Sequence, residues 1–243
     1  MLELLGLFGV GVFAGIVSTV VSLASVVSYP ALLAFGLPPL SANVTNTVAL
    51  MFTGAGAAAG SRPELAGQGR LVLRLGRLSA LGGASGAALL LLTPARAFEV
   101  VAPWLIAGAS LLLVRPPKPG HGREDALLPR IGIFAVAVYT GYFGAAGGIL
   151  MFAVLSSMLD RSPAKVNAMK NVISGLSNAV AAVGFALFGP VDWGAVGPLA
   201  AGFLLGGWIG PSIARRLPGH SLRYLAAGCG LVVAVKLGWE SYT

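Results

Sequence analysis

Apolar residues in this chain come in runs separated by short polar stretches. Leu4–Phe35 is long and interrupted, and Ala42–Gly60, Gly76–Leu92 and Phe98–Val114 follow it. The stretch "RPPKPGHGREDALLPR", Arg115 to Arg130, breaks the series, and its Pro, Gly and charge mark a loop. Ile131–Leu159 is again long and interrupted. Ala168–Phe188, Trp193–Ala214 and Leu222–Trp239 complete the chain. Several runs reach the ~20 residues that carry a helix across a bilayer. Backbone that faces hydrocarbon must satisfy its own hydrogen bonds, so the runs are predicted to be helices.

The two halves share one order: a broken run, then three ordinary spans. The nonapeptides "PLSANVTNT", Pro39 to Thr47, and "PAKVNAMKN", Pro163 to Asn171, align at an offset of 124 positions, Asn43 on Asn167. The chain therefore divides into a first membrane repeat (1–114), a cytoplasmic linker (115–130) and a second membrane repeat (131–243).

Sidedness follows from the loops. Arg62, Arg70, Arg74 and Arg77 cluster in one polar segment, Arg115, Lys118, Arg123 and Arg130 in the linker, and Arg215, Arg216 and Arg223 near the end. Such clusters mark the cytoplasmic side. The turns Thr93–Ala97 and Gly189–Asp192 hold only Arg96 and belong outside. Counting crossings from these anchors makes Ile131–Leu159 begin and end inside, and by symmetry Leu4–Phe35 begin and end outside. Each run has about 30 residues, too few for two full passes of ~20. The expectation is a re-entrant hairpin at the head of each half, and halves of opposite orientation, the plan of many secondary transporters. The alternative is a kinked single span in each half, giving eight helices and parallel halves.

Composition fits this architecture. Hydrophobic residues make up 56% of the chain, charged residues 10%, and the mean hydropathy is +0.87, against about 25% charged residues in a soluble domain. The fold class expected is an all-α polytopic membrane protein built of two inverted-topology repeats. The net charge of +8 would suit nucleic acid, but the Lys and Arg sit in short loops between spans, so no nucleic-acid partner is expected. Cys229 is alone and forms no internal disulfide. His121 and His220 lie in charged loops, which leaves no visible metal cluster, and no cofactor is expected. Glu3 is the only charge before Arg62, so the first apolar run lacks the basic start of a signal peptide and should be retained.

Polar residues in this setting carry the chemistry. Asn43, Asn46 and Thr47 fall at i, i+3 and i+4, one helical face, and Asn167, Lys170 and Asn171 repeat it. Capping and interhelical hydrogen bonding explain Asn and Thr equally well. Lys170 is the sharper signal. If the helix starts at Ala168, a cation sits in its first turn, the wrong end for the dipole. It needs a counter-charge, either local Asp160 or an anionic substrate. Ser22 and Ser25 in the first broken run, and Gly147 and Gly148 in the second, would place hydroxyls and close backbone N–H groups at the hairpin tips. All eight acids fall in loops or at span ends, which offers neither a carboxylate pair for hydrolysis nor an intramembrane proton relay. A potential negative inside favours loss of an anion by ~2.3 kcal/mol per charge per 100 mV, without proton coupling.

The segments "SYPALLAFGLPPLSANVTNTVAL" (from Ser28), "GYFGAAGGILM" (from Gly141), "VNAMKNVISGLSNAVAAVGFALFGPVDW" (from Val166) and "GGWIGPSIARRLP" (from Gly206) resemble the TauE/SafE sulfite-exporter family over almost the whole chain. The resemblance implies a multi-pass transporter in a bacterial inner membrane, exporting a small anion such as sulfite or an organosulfonate like sulfoacetate. Many relatives carry Gly-Gly-Gly a few residues before the first-half Pro, whereas this chain has Ser22-Leu23-Ala24, a bulkier and more hydroxylic tip. The partners expected are the anion and membrane lipid, and a homodimer is compatible with the plan. Competing readings are an importer or a carrier of another solute, an enzyme acting on lipid phosphates, which would want buried acids or histidines, and a scaffold, which would not need a repeated polar face.

Overall fold

The structure, a computed structural model, describes residues 2–101, 104, 105, 127–144, 147–216 and 235. Most of the linker, the run Leu222–Trp239, Cys229 and both histidines lie outside the described residues, as does most of Phe98–Val114.

Every regular element among the described residues is a helix. In chain order they are α1 (Leu2–Val21), α2 (Ala24–Ala34), α3 (Pro39–Gly60), α4 (Arg62–Leu65), α5 (Gly69–Leu92), α6 (residues 95–101), α7 (Leu127–Tyr142), α8 (Gly147–Met158), α9 (Pro163–Phe188) and α10 (Trp193–Ala214). Four of them, α1, α5, α9 and α10, are long and apolar enough to cross a membrane. The 22-residue α3 is long enough but less apolar, because it carries Asn43, Thr45, Asn46 and Thr47, all of them buried. Outward-facing side chains are apolar instead: Leu81, Leu92, Val183, Leu187 and Phe188 are all more than half exposed. An apolar surface on this scale calls for lipid.

Both broken runs fold back on themselves. The chain turns at Ser22 and Leu23, between α1 and α2, and again at Phe143 and Gly144, between α7 and α8. A Cβ placed on Gly6, near the start of α1, would lie 3.2 Å from Cζ of Phe35, just past the end of α2. One placed on Gly132 in α7 would lie 3.3 Å from the methyls of Val154 in α8. The kinked-span alternative would separate these pairs along the axis. The arms are unequal: α1, at 20 residues, is about 30 Å long and α2, at 11 residues, about 16 Å.

Contacts then cross between the halves. Helix α10 packs along α1 and α3, whereas α5 packs along α7 and α9, and α3 crosses α9 at the centre. Small residues make these approaches possible. The segments "LGGASG", from Leu81, and "LGGWIG", from Leu205, share the offset of 124 positions. Their second glycines do matching work: a Cβ on Gly83 would lie 2.5 Å from the Ser177 carbonyl oxygen, and one on Gly207 would lie 2.7 Å from that of Thr53. At the central crossing a Cβ on Gly54 would lie 2.8 Å from Cα of Gly175.

Loops gather at two ends. At one, Ser41 Oγ donates to Pro190 O (2.8 Å) and Asp192 N donates to Thr45 Oγ1 (2.9 Å), which joins the start of α3 to the turn before α10. At the other, Arg215 grips Glu64 through two hydrogen bonds of 2.8 and 3.0 Å and also donates to Gly60 O. The segments that the Arg clusters assign to one side are thus found together. This contact holds the Glu64 carboxyl below the ordinary carboxylate range.

Two measurements check these features. Replacing Gly175 with Leu should lower the thermal unfolding midpoint, an overpacking cost of about 1–3 kcal/mol. Gly197→Ala, where an added Cβ meets nothing within 4 Å, should not. Glu64→Gln should lower stability at neutral pH by about 1 kcal/mol or less, since the pair is solvent-exposed. Because the native carboxyl is depressed, its contribution is present above the unfolded value of about 4.3 and is lost as pH falls through the native one. The difference between the two proteins should therefore shrink in acid.

Candidate functional site

The two hairpin tips meet inside the bundle. Ser22 has φ of +67°, the only non-glycine residue in the left-handed region among the described residues. Gly144 turns the second tip with φ of +77°. The tips touch where a Cβ on Gly148 would come within 2.7 Å of Ser22 Cβ, so glycine is required there. Gly147 is likewise pressed against the Thr140 hydroxyl.

A helix that stops leaves its last carbonyls without intrahelical partners. Here asparagines from the opposite half meet one at each break. Asn43 Nδ2, on α3, donates to Tyr142 O at the end of α7 (3.1 Å). Asn167 Nδ2, on α9, donates to Thr19 O in the last turn of α1 (2.9 Å). Asn46 also serves a hairpin, accepting from Ser28 Oγ (2.6 Å) and donating to Ser25 Oγ (3.2 Å), while Thr47 returns its hydroxyl to Asn43 O. Around Tyr142 the tip is closed by rings: Phe143 packs edge-on to Tyr29 at 5.7 Å and beside Phe98 at 5.8 Å.

A cavity of about 50 Å³ lies between the tips and the crossing of α3 with α9. A single water needs roughly 10–15 Å³ by the same measure, so there is room for a compact ion of a few heavy atoms. Among the described residues, Lys170 is the sole charged one in its lining, and no acid reaches it. The side chain is 2% exposed and its ammonium donates to Ser22 Oγ. An ammonium carries three donors, and this bond uses one. Asn171 Nδ2, Thr53 Oγ1 and Ser174 Oγ are buried in the surrounding wall without a hydrogen-bond partner among the described residues.

Helix α9 starts at Pro163, not at Ala168. Lys170 therefore lies in the third turn, and the argument from the helix dipole lapses. Proline at the first helical position was the available signal, present at both Pro39 and Pro163. Asp160 is not the counter-charge, because among the described residues no carboxylate lies within 4.0 Å of Lys170. Burial in place of ion pairing is what singles this lysine out.

Of the residues singled out in the sequence, Ser22, Ser25, Gly148, Lys170 and Asn171 line the cavity. Asn43, Asn46, Thr47, Gly147 and Asn167 do not; they hold the hairpins that shape it. Sequence reasoning missed Thr53, Thr140, Ser174 and Asn178. Ser174 and Asn178 follow Lys170 at i+4 and i+8, so continuing the polar face of α9 by two turns finds them.

Comparison with known proteins agrees with this architecture. The chain is 25% identical to a probable membrane transporter protein, ORF9, of Sinorhizobium sp., over 95% of this chain and 90% of that one. It is 26% identical to the probable membrane transporter protein YfcA of Escherichia coli K12, over 97% of this chain and 90% of that one. A probable membrane transporter protein of Haemophilus influenzae is 27% identical over 84% and 82%. No solved structure matches the chain. A family model described as sulfite exporter TauE/SafE matches residues 7–237, and with several apolar helices of spanning length beside it, the chain belongs to the TauE/SafE family of multi-pass membrane transporters.

Proposed function

We propose that this transporter exports small anions, sulfite or an organosulfonate such as sulfoacetate, across a bacterial inner membrane by alternating access between its halves. The observation that carries this reading is Lys170: a buried cation, the only charge among the described residues that line a central cavity, whose one partner among them is a hydroxyl. A buried charge without an opposite charge is costly, and an anion in that cavity supplies one. Broken helices that meet near the middle of the bundle are the setting in which secondary transporters hold substrate. Ser22, Ser25, Gly148, Lys170 and Asn171 form the substrate site in this reading, and Asn43, Asn46, Thr47, Gly147 and Asn167 position the hairpins around it. Among the described residues the lining holds no acid, which suits uniport driven by the membrane potential, about 50-fold per charge per 100 mV.

Purified protein in liposomes loaded with sulfite, sulfoacetate or sulfate tests this. Efflux of at least one anion should rise when a potential negative inside is imposed and should be absent from protein-free liposomes. Lys170→Ala should reduce it at least tenfold while the protein stays monodisperse and thermally stable. Undiminished efflux from a folded Lys170→Ala variant would rule out the role given to this lysine.

A further inference from the structure

Lys170 lines the cavity, and its ammonium is tied to a neighbour there. Lys170 is 2% exposed, whereas Ser22, whose hydroxyl receives its hydrogen bond, is half-buried and presents accessible surface. Ser22 therefore holds one of the three donors of the only charge among the described residues that line the site. An anion within the cavity engages that third donor only when the hydroxyl moves aside.

Ser22 is also placed to move. It follows the last residue of α1 and only Leu23 separates it from α2, so a change in its backbone angles re-aims the tip without unwinding either helix. Its left-handed conformation is one that a serine adopts only when its surroundings hold it there. Three contacts do so: the bond from Lys170, the bond from its own N–H to Ser18 O (2.9 Å) and the close approach of Gly148. Loss of the first removes the only side-chain hydrogen bond that the structure gives Ser22 to the second half of the chain.

We propose that Ser22 gates access to Lys170: an oxygen of the entering anion exchanges with the Ser22 hydroxyl on the ammonium, and that exchange frees the tip of the first hairpin. The inference rests on the anion-export reading above and adds to it the residue that sets affinity. Competition with a charge-assisted hydrogen bond weakens anion binding by about tenfold. It also ties movement of the tip to the presence of substrate. Ser22 lines the substrate site but is not itself a ligand of the anion; it is a positioning residue that acts through Lys170.

The full-length chain is tested as wild type, Ser22→Ala and Ser22→Gly. Ser22→Gly removes the hydroxyl and also fits the left-handed backbone, so it guards against misfolding as an explanation. Binding of sulfite, sulfoacetate and sulfate is measured by calorimetry, and initial efflux rates are measured over a range of internal concentrations. Both variants should bind the transported anion about tenfold more tightly and half-saturate at correspondingly lower concentration. Their maximal rates should be equal to or below that of wild type, a split that general structural damage would not produce. Unchanged or weaker binding in Ser22→Gly, with wild type binding normally, overturns the gate and leaves the anion site standing. If wild type binds none of the three anions, the reading of the site fails and the gate fails with it.

Discussion

A helix that stops inside a packed bundle leaves carbonyl groups that its own turns cannot satisfy. This chain ends two helices that way, at Ser22 and at Gly144, and much of its polar content answers the need. The donors are Asn43 and Asn167, each fixed on a continuous helix of the other half. The hydrogen bonds that make a broken helix tolerable are therefore the same ones that hold the halves in register. Each tip rests on a helix of the opposite half, and the position of one half constrains the tip of the other.

What remains between the tips is a small polar space, and its chemistry is lopsided. Asn46 and Lys170 occupy equivalent positions, yet Asn46 is consumed by two serines of its own hairpin whereas Lys170 reaches the tip of the other. Positions that match in sequence thus differ in what their side chains bind. One half supplies structure, and the other supplies charge. The crossing beneath is made of glycines, Gly54 on Gly175, with no side chains interleaved between the backbones. Helices that meet backbone to backbone can change their angle without repacking a layer of side chains.

Much of this was legible in the sequence. Spans, breaks and the order of elements follow from hydropathy and length, because bilayer thickness leaves little freedom. Trp193–Ala214 is a helix with the bounds read from the sequence. The broken runs were legible as hairpins because about 30 residues cannot pass twice. Helix starts were not: the polar faces hid three further residues of α3 and five of α9, which begin at Pro39 and Pro163. The division of labour within each polar patch was also hidden. Asn43 and Asn171 look alike in sequence, and only the packing partner tells a residue that holds a hairpin from one that faces the cavity. Pattern fixes the face of a helix, whereas the neighbour across that face depends on the whole fold.

The exchange of α5 and α10 between the halves has a bearing on whether either half could stand by itself. Helix α5 finds its partners on α7 and α9, and α10 finds its own on α1 and α3. A chain of half this length would leave that helix with a small-residue face and nothing to lay it against. A second copy, related to the first as the two halves are here, would supply both missing surfaces at once. Among the described residues neither half is complete alone, since α5 and α10 each bury a small-residue face only against the other half.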